Sequence, residues 1–293
     1  MKQTNVLLIV GADSSIGQAL AARLRSGGKP VLETTRRRET LTETRIFLDL
    51  TQEKEIENWN PPAQIETAYL CAAVTSLAQC NQDSMQSAEV NVRNTISLAR
   101  NLISRGTFVV FLSTNQVYDG SIPFRKADDR VCPQNEYGRQ KAEAEKHLLA
   151  LGNLVSIARF TKVLNHNVPL FQRWIQELRN NRPIHPFLDM VMAPVPLFFA
   201  VDVLSRLAEL RLPGIIQVSG EQDITYDRVA YYITRQIGAN LELVKPIKSK
   251  EAGLHPEFVP LHTTLDTTQL RVQLGLETPN VWSVIDLIVS KNY

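Results

Sequence analysis

Cysteine is scarce in this chain, and the few present are not arranged for chemistry. Cys71, Cys80 and Cys132 are the only three in 293 residues, and no two share a CxxC spacing. An odd count without such spacing argues against a disulfide framework and for free thiols in a reducing compartment, so a cytoplasmic location is expected. A surplus of one charge is also missing. The 32 Lys and Arg against 30 Asp and Glu leave a net charge of +2, too little for the basic field that drives nucleic-acid binding. Long apolar runs are absent as well: the N-terminal "VLLIV" has five residues before Gly11. That is short of the ~20 residues of a membrane span and of a signal-peptide core, so no membrane partner is expected. The five histidines form no HxxxH or HExxH pattern, and no metal site is expected. Neither a Gly/Ser linker nor an internal repeat divides the chain.

What is present reads as a soluble globular protein, with 44% hydrophobic and 21% charged residues. Its length suits one large α/β domain or two lobes. Short apolar runs alternate with amphipathic segments through the first half. "NVLLIV" (5–10), "PVLETT" (30–35), "TRIFLDL" (44–50), "TAYLCAA" (67–73), "TFVVFLST" (107–114) and "LVSIARF" (154–160) read as strands. "IGQALAARLRSGG" (16–28), 84–106 and 136–152 read as helices, two of them stopped by glycine. Continuous apolar strands separated by helices imply a doubly wound, Rossmann-type parallel sheet covered on both faces. After residue 160 the alternation loosens, although "GIIQVSG" (214–220) reads as one more strand. The expected organisation is a nucleotide-binding domain over 1–164 and a smaller, interleaved substrate lobe over 165–293, with later segments returning to the main sheet. Trp174, Phe198 and Phe199 are expected in the core of that lobe, and Tyr118 as a packing residue under a turn.

The first strand runs into "GADSSIG", which places Gly11 and Gly17 around a turn into the first helix. A dinucleotide pyrophosphate sits on a helix N-terminus at this place in such folds. Two glycines also mark an ordinary turn; the strand–turn–helix context favours the phosphate-binding reading. Ser14, Ser15 and Ile16 complete the loop, and the Ser14 hydroxyl is a candidate donor to a phosphate oxygen. The second strand ends in "ETTRRRET". Glu33 comes early for the acid that binds a ribose 2′-hydroxyl, whereas Arg36 and Arg37 suit a 2′-phosphate. NADP is therefore the expected cofactor, with NAD as the second candidate. Charge runs such as Arg36–Arg38 also occur as plain solvated loops. Asp49 and Leu50 follow strand three, the carboxylate suited to an adenine amino group. Cys71, Ala72 and Ala73 end strand four with small side chains that let a cofactor approach the backbone.

"YGRQK" sets Tyr137 and Lys141 at i, i+4 on one helix face. A lysine ammonium beside a phenol lowers its pKa from the usual ~10 towards working pH. The pair is common by chance, and it gains weight from Thr114 at the end of a buried strand, since parallel sheets bind ligands beyond their carboxyl ends.

Together "GADSSIGQAL", "YLCAAVT", "AEVNVRNT", "LSTNQVYDG", "CPQNEYGRQKAEAEKHL", "IARFTKVL" and "TTLDTTQLRVQLGL" resemble the extended short-chain dehydrogenase/reductases. Within them the likeness is to the dTDP-4-dehydrorhamnose reductase-like, sugar-nucleotide-binding branch, over nearly the whole length. The resemblance implies Thr114, Tyr137 and Lys141 as the catalytic set and Asn91 as a support near the lysine and cofactor. It implies Thr161 at the nicotinamide and Thr75, Asn115, Gln116 and Lys162 on the substrate side. The chain departs from the family pattern at Ser14, where a glycine is usual, and at Asn115, where an aspartate is usual. Lys162 stands where rhamnose-forming reductases carry a tryptophan. The function implied is NADP(H)-dependent reduction of a keto group on a nucleotide-linked sugar. A sugar-nucleotide epimerase or dehydratase, and a non-catalytic NADP-binding regulatory subunit, are the alternatives. A homodimer is among the assemblies the resemblance implies, through the long helices after strands four and five.

Overall fold

The structure is a computed structural model that describes residues 6–289. The expected strand residue Asn5 and the lobe's residues 290–293 lie outside the described residues. Six strands form in the first half: β1 (Val6–Val10), β2 (Val31–Thr35), β3 (Arg45–Phe47), β4 (Ile65–Leu70), β5 (Phe108–Thr114) and β6 (Val155–Phe160). Four two-residue strands, β7 (Val163–Leu164), β8 (Val191–Met192), β9 (Val195–Pro196) and β11 (Ile224–Thr225), form small pairs, and β10 (Gly214–Val218) returns to the main sheet. The resulting seven-stranded sheet has the order β10-β6-β5-β4-β1-β2-β3, and its pairings are parallel. Burial on both faces explains why β1, and β5 as far as Leu112, read as unbroken apolar runs rather than alternating ones. Strand order reverses between β1 and β4, which opens a ligand crevice beyond their carboxyl ends.

The covering helices are α1 (Ser15–Ser26), α2 (Glu53–Glu57), α3 (Leu77–Gln82), α4 (Ser84–Ala88), α5 (Thr95–Ile103) and α6 (Glu136–Leu149). Five more follow: α7 (Pro169–Arg179), α8 (Leu197–Glu209), α9 (Tyr226–Gln236), α10 (Thr268–Leu274) and α11 (Val281–Val289). One core lies between the sheet and α1 with α8, through Leu20, Leu24, Val203 and Leu207. A second lies on the other face, where Leu98, Leu102, Ala144 and Leu148 of α5 and α6 meet Val109 and Phe111. A third joins α7, α9 and α11 through Phe171, Trp174, Ile233 and Ile285. Trp174 packs there with its ring centroid 5.4 Å from that of Phe171. Phe199 packs on the α1–α8 core, whereas Phe198 is 59% exposed and not a core residue. Among the described residues no helix is long and apolar enough to cross a membrane.

The single helix expected over 84–106 is broken into α4, a π-helical turn over Glu89–Asn94, and α5. The wide turn carries two buried amides. Asn91 bonds the backbone of Val74, and Asn94 Nδ2 donates to Leu50 O at 2.8 Å. Such turns recur at functional sites because one extra residue re-aims the side chains. The expected third strand is also shorter, ending at Phe47, so Asp49 and Leu50 stand on the turn beyond it.

Candidate active site

The glycine loop is built around a side-chain cap. Ser14 is the N-cap of α1: its Oγ accepts from Gly17 N at 3.0 Å and donates to Gly11 O at 2.9 Å. The expected donation from Ser14 to a phosphate is therefore replaced by a bond within the loop, because the hydroxyl has one proton and Gly11 O takes it. Gly11 adopts φ +83° and lies against the chain just past β4; a Cβ there would sit 2.7 Å from the Ala72 backbone. Gly17 is as tightly held, with Gly11 O 2.6 Å from where its Cβ would be. These contacts seat the start of α1 beside the end of β4, with Ser15 exposed and Ile16 half-buried at the helix N-terminus.

Two adjoining cavities meet along this loop. The first, of about 340 Å³, lies over the ends of β1 and β2 and takes in Gly11, Arg36, Asp49, Leu50 and Ala72. The second, of about 530 Å³, lies over β5 and β6 and takes in Ser15, Ile16, Thr114, Tyr137, Lys141 and Thr161, with Lys162 at its rim. Ser14, Cys71, Ala73 and Thr75 line both. The sequence positions from the glycine loop, the end of β4, the end of β5 and α6 are thus brought to one continuous crevice.

Thr114 ends β5, paired in register with Phe160 of β6. Its Oγ1 accepts from Gln116 N at 3.2 Å and caps the turn that follows. Tyr137 and Lys141 project from the start of α6. That end is clamped by Asn135, whose Oδ1 accepts from Gly138 N at 2.9 Å and whose Nδ2 donates to Gln116 Oε1 at 2.7 Å. The clamp explains the glycine after Tyr137, since a Cβ on Gly138 would lie 2.1 Å from Gln116 O. Lys141 is 3% exposed, and its ammonium sits 4.0 Å over the Phe111 ring.

Burial governs the ionisation of this cluster. It pushes the Tyr137 phenol up, with the Cys80 thiol adding to the effect. It lowers Lys141 to about 8, against the opposing pull of Glu145, Cys71 and Cys80. The same burial raises Cys71 to about 12, with Lys141 opposing. The expected depression of the phenol by the lysine is therefore not found: desolvation raises the phenol, and the tyrosine is held as a neutral hydroxyl.

Arg37, Asn91, Asn115 and Gln116 do not line either cavity. Arg37 turns into a 3₁₀ turn after β2, its N–H donating to Thr35 Oγ1 at 3.0 Å, and Arg38 stacks on Phe47. Asn91 is 1% exposed and lies behind the site. Its Oδ1 accepts from Val74 N at 2.8 Å, and its Nδ2 donates to Val74 O and Gln140 Oε1 at 2.9 and 2.8 Å. It holds the chain after β4 to α6 one residue from Lys141, a scaffold place rather than a cofactor contact. Gln116 acts likewise through Asn135, and the Asn115 carboxamide accepts from the Thr114 hydroxyl at 3.4 Å. Thr161 lines the cavity, but its hydroxyl donates to Ala193 O.

Polar residues that the sequence reading gave no role also line the cavities, among them Ser113, Asn165 and Asp13. Ser113 is 6% exposed, and its hydroxyl has no hydrogen-bond partner among the described residues. It lay in plain view as one of the hydroxyls ending β5. Asn165 lines the larger cavity beyond Lys162, and Asp13 lines the smaller one. Behind the site, Arg159 of β6 pairs with Glu145 of α6 at 2.6 Å, each side chain 3% exposed. Tyr118 is a packing residue with a bonded hydroxyl, which Arg159 Nη1 reaches at 2.6 Å.

The fold and sequence have close counterparts. A dTDP-4-dehydrorhamnose reductase of Aggregatibacter actinomycetemcomitans is 27% identical over 291 residues, spanning 94% of this chain and 95% of that one. A dTDP-4-keto-6-deoxy-D-glucose reductase of Streptomyces niveus is 25% identical over 289 residues, spanning 96% and 94%. The crystal structure of dTDP-4-dehydrorhamnose reductase from Bacillus anthracis in complex with NADP shares the fold. Its TM-score is 0.85 at 18% identity, over 99% of this chain and 100% of that one. Residues 5–292 match the family described as the RmlD substrate binding domain, and the chain belongs to that family.

Proposed function

We propose that this protein is an NADPH-preferring reductase that converts a keto group of a nucleotide-linked sugar to an alcohol. The observation that carries the reading is the meeting of Thr114, Tyr137 and Lys141 on one cavity that runs on, through Cys71, Ala73 and Thr75, to the glycine loop. The residues fit a dinucleotide. A helix N-terminus with a glycine at φ +83° offers backbone N–H groups to a pyrophosphate, and Arg36 stands at the adenosine end for a 2′-phosphate. The bound nicotinamide would supply the hydride. Tyr137, kept neutral by burial, donates its phenolic proton to the carbonyl oxygen. Thr114 orients that oxygen by turning its hydroxyl proton from the long 3.4 Å contact with Asn115 Oδ1 to the carbonyl. Lys141 holds the cofactor ribose and places a positive charge beside the phenolate left behind. Thr75, Lys162 and Asn165 line the wall on which the sugar is held, within a substrate lobe that takes in most of the chain beyond residue 164. A cytoplasmic homodimer through α5 and α6 completes the proposal, and light scattering tests the assembly.

The test of the chemistry is Tyr137→Phe, which removes one hydroxyl and little volume. NADPH oxidation with a panel of 4-keto-6-deoxy sugar nucleotides is expected to slow by ~10²-fold or more, with NADPH affinity nearly unchanged. Near-normal turnover by the variant overturns the assigned mechanism. A parent protein that binds NADPH and oxidises it with no member of the panel overturns the substrate class.

A further inference from the structure

Beside Arg36, where the sequence pointed to a 2′-phosphate site, the adenosine end of the crevice carries a second acid besides Asp49. Asp13, from the glycine loop, lines that cavity together with Thr34, Thr35 and Arg36. Thr35 is the last residue of β2, and its hydroxyl donates to Asp13 Oδ2 at 2.6 Å. The Asp13 carboxylate therefore stands at the carboxyl end of β2, borrowed from the neighbouring loop. An acid at this place accepts from a ribose 2′-hydroxyl and repels a 2′-phosphate. The strand's own acid is unavailable. Glu33 is 5% exposed, and its two oxygens are held by Arg25, at 2.6 Å, and by Arg45.

Arg45 ties the two acids together. It faces Glu33 across the β2–β3 register, and its guanidinium pairs with both Glu33 and Asp13, while Nε donates to Thr40 Oγ1 at 3.3 Å. Asp13 keeps 26% of its side chain exposed, so the carboxylate remains open to the cavity. Arg36, on the same cavity, has no ion pair among the described residues. Asp49, the other acid there, is engaged in its own turn, accepting from Thr51 N at 3.0 Å.

We propose that the Asp13–Arg45 pair sets the choice between NADPH and NADH. Arg45 neutralises Asp13 and so allows a 2′-phosphate to settle on Arg36; without Arg45, the bare carboxylate selects the 2′-hydroxyl of NADH. This rests on the dinucleotide-binding part of the proposed function and needs no assumption about the sugar.

The experiment is fluorescence titration of the full-length protein with NADPH and with NADH, reading the ratio of the two dissociation constants. Arg45→Gln is expected to move that ratio at least tenfold towards NADH. Adding Asp13→Asn to Arg45→Gln is expected to return it close to the parent value, because the repelling charge is gone. Asp13→Asn alone leaves the Arg45–Glu33 pair in place and is expected to move the ratio towards NADPH. It also decides the matter if Arg45→Gln does not fold. An Arg45→Gln ratio within twofold of the parent, a shift that persists in the double variant, or an unmoved ratio in Asp13→Asn overturns the proposal. If the parent binds both nucleotides and the ratio stays fixed, only this proposal fails. If it binds neither, the dinucleotide reading fails with it.

Discussion

The most direct consequence of the site's burial is an alkaline limit set by Lys141. Desolvation lowers its ammonium from 10.5 to about 8. In the free protein about nine in ten Lys141 side chains are then charged at pH 7, and only about one in ten at pH 9. If the charge both holds the cofactor ribose and stabilises the phenolate of Tyr137, kcat/KM for NADPH should fall about tenfold from pH 7 to pH 9, because kcat/KM reports the free protein. The kcat profile should bend at higher pH, since an anionic cofactor beside the lysine favours its charged form. Stability should move the other way. The folded pKa lies below the unfolded one, so between pH 8 and 10.5 the unfolded chain binds more protons. This group's contribution to stability therefore rises with pH through that window. The opposed trends separate loss of charge from unfolding. Steady-state rates and thermal melts over pH 6–10, repeated with Lys141→Met, check both. A kcat/KM flat to pH 9.5, or a limb near pH 8 that persists unchanged in Lys141→Met, would refute the reasoning.

Other perturbations follow from single contacts. Gly11→Ala forces a Cβ against the Ala72 backbone at a left-handed φ. It should cost about 1–3 kcal/mol of stability and weaken NADPH binding in the same titration; unchanged affinity would show that the loop does not seat the cofactor. Glu145→Ala strands the Arg159 guanidinium in the core and should lower stability by about 3–5 kcal/mol in urea melts; a loss below ~1 kcal/mol would mean that water reaches the charge. Ser113→Ala removes a buried hydroxyl that has no partner among the described residues. Its melting temperature should hold or rise, since an unsatisfied donor of this kind costs about 1–3 kcal/mol. A fall in turnover alongside would place that hydroxyl on a ligand.

The parts of this site that were legible in the sequence are those in which one residue does one local job. The glycines of the loop, the β5 threonine and the Tyr137–Lys141 pair each announce themselves by spacing, because a turn, a strand end and a helix face impose fixed periods. The parts that were not legible depend on which residues fold against each other. Nothing in "GADSSIG" says that the Ser14 hydroxyl turns inward onto Gly11 O. Nor does it say that Asp13 will meet Arg45 from a strand two steps across the sheet. The i, i+4 spacing placed the lysine near the tyrosine but carried no dielectric, so it gave the wrong sign for the phenol: what decides there is the desolvation of the tyrosine, with the Cys80 thiol adding to it. The same logic separates Asn91 and Gln116 from the residues they resemble in sequence. Both are amides beside the site, yet one bridges Val74 to Gln140 and the other steadies the cap of α6. Substituting either should therefore change the positions of Lys141 and Tyr137 rather than remove a ligand contact.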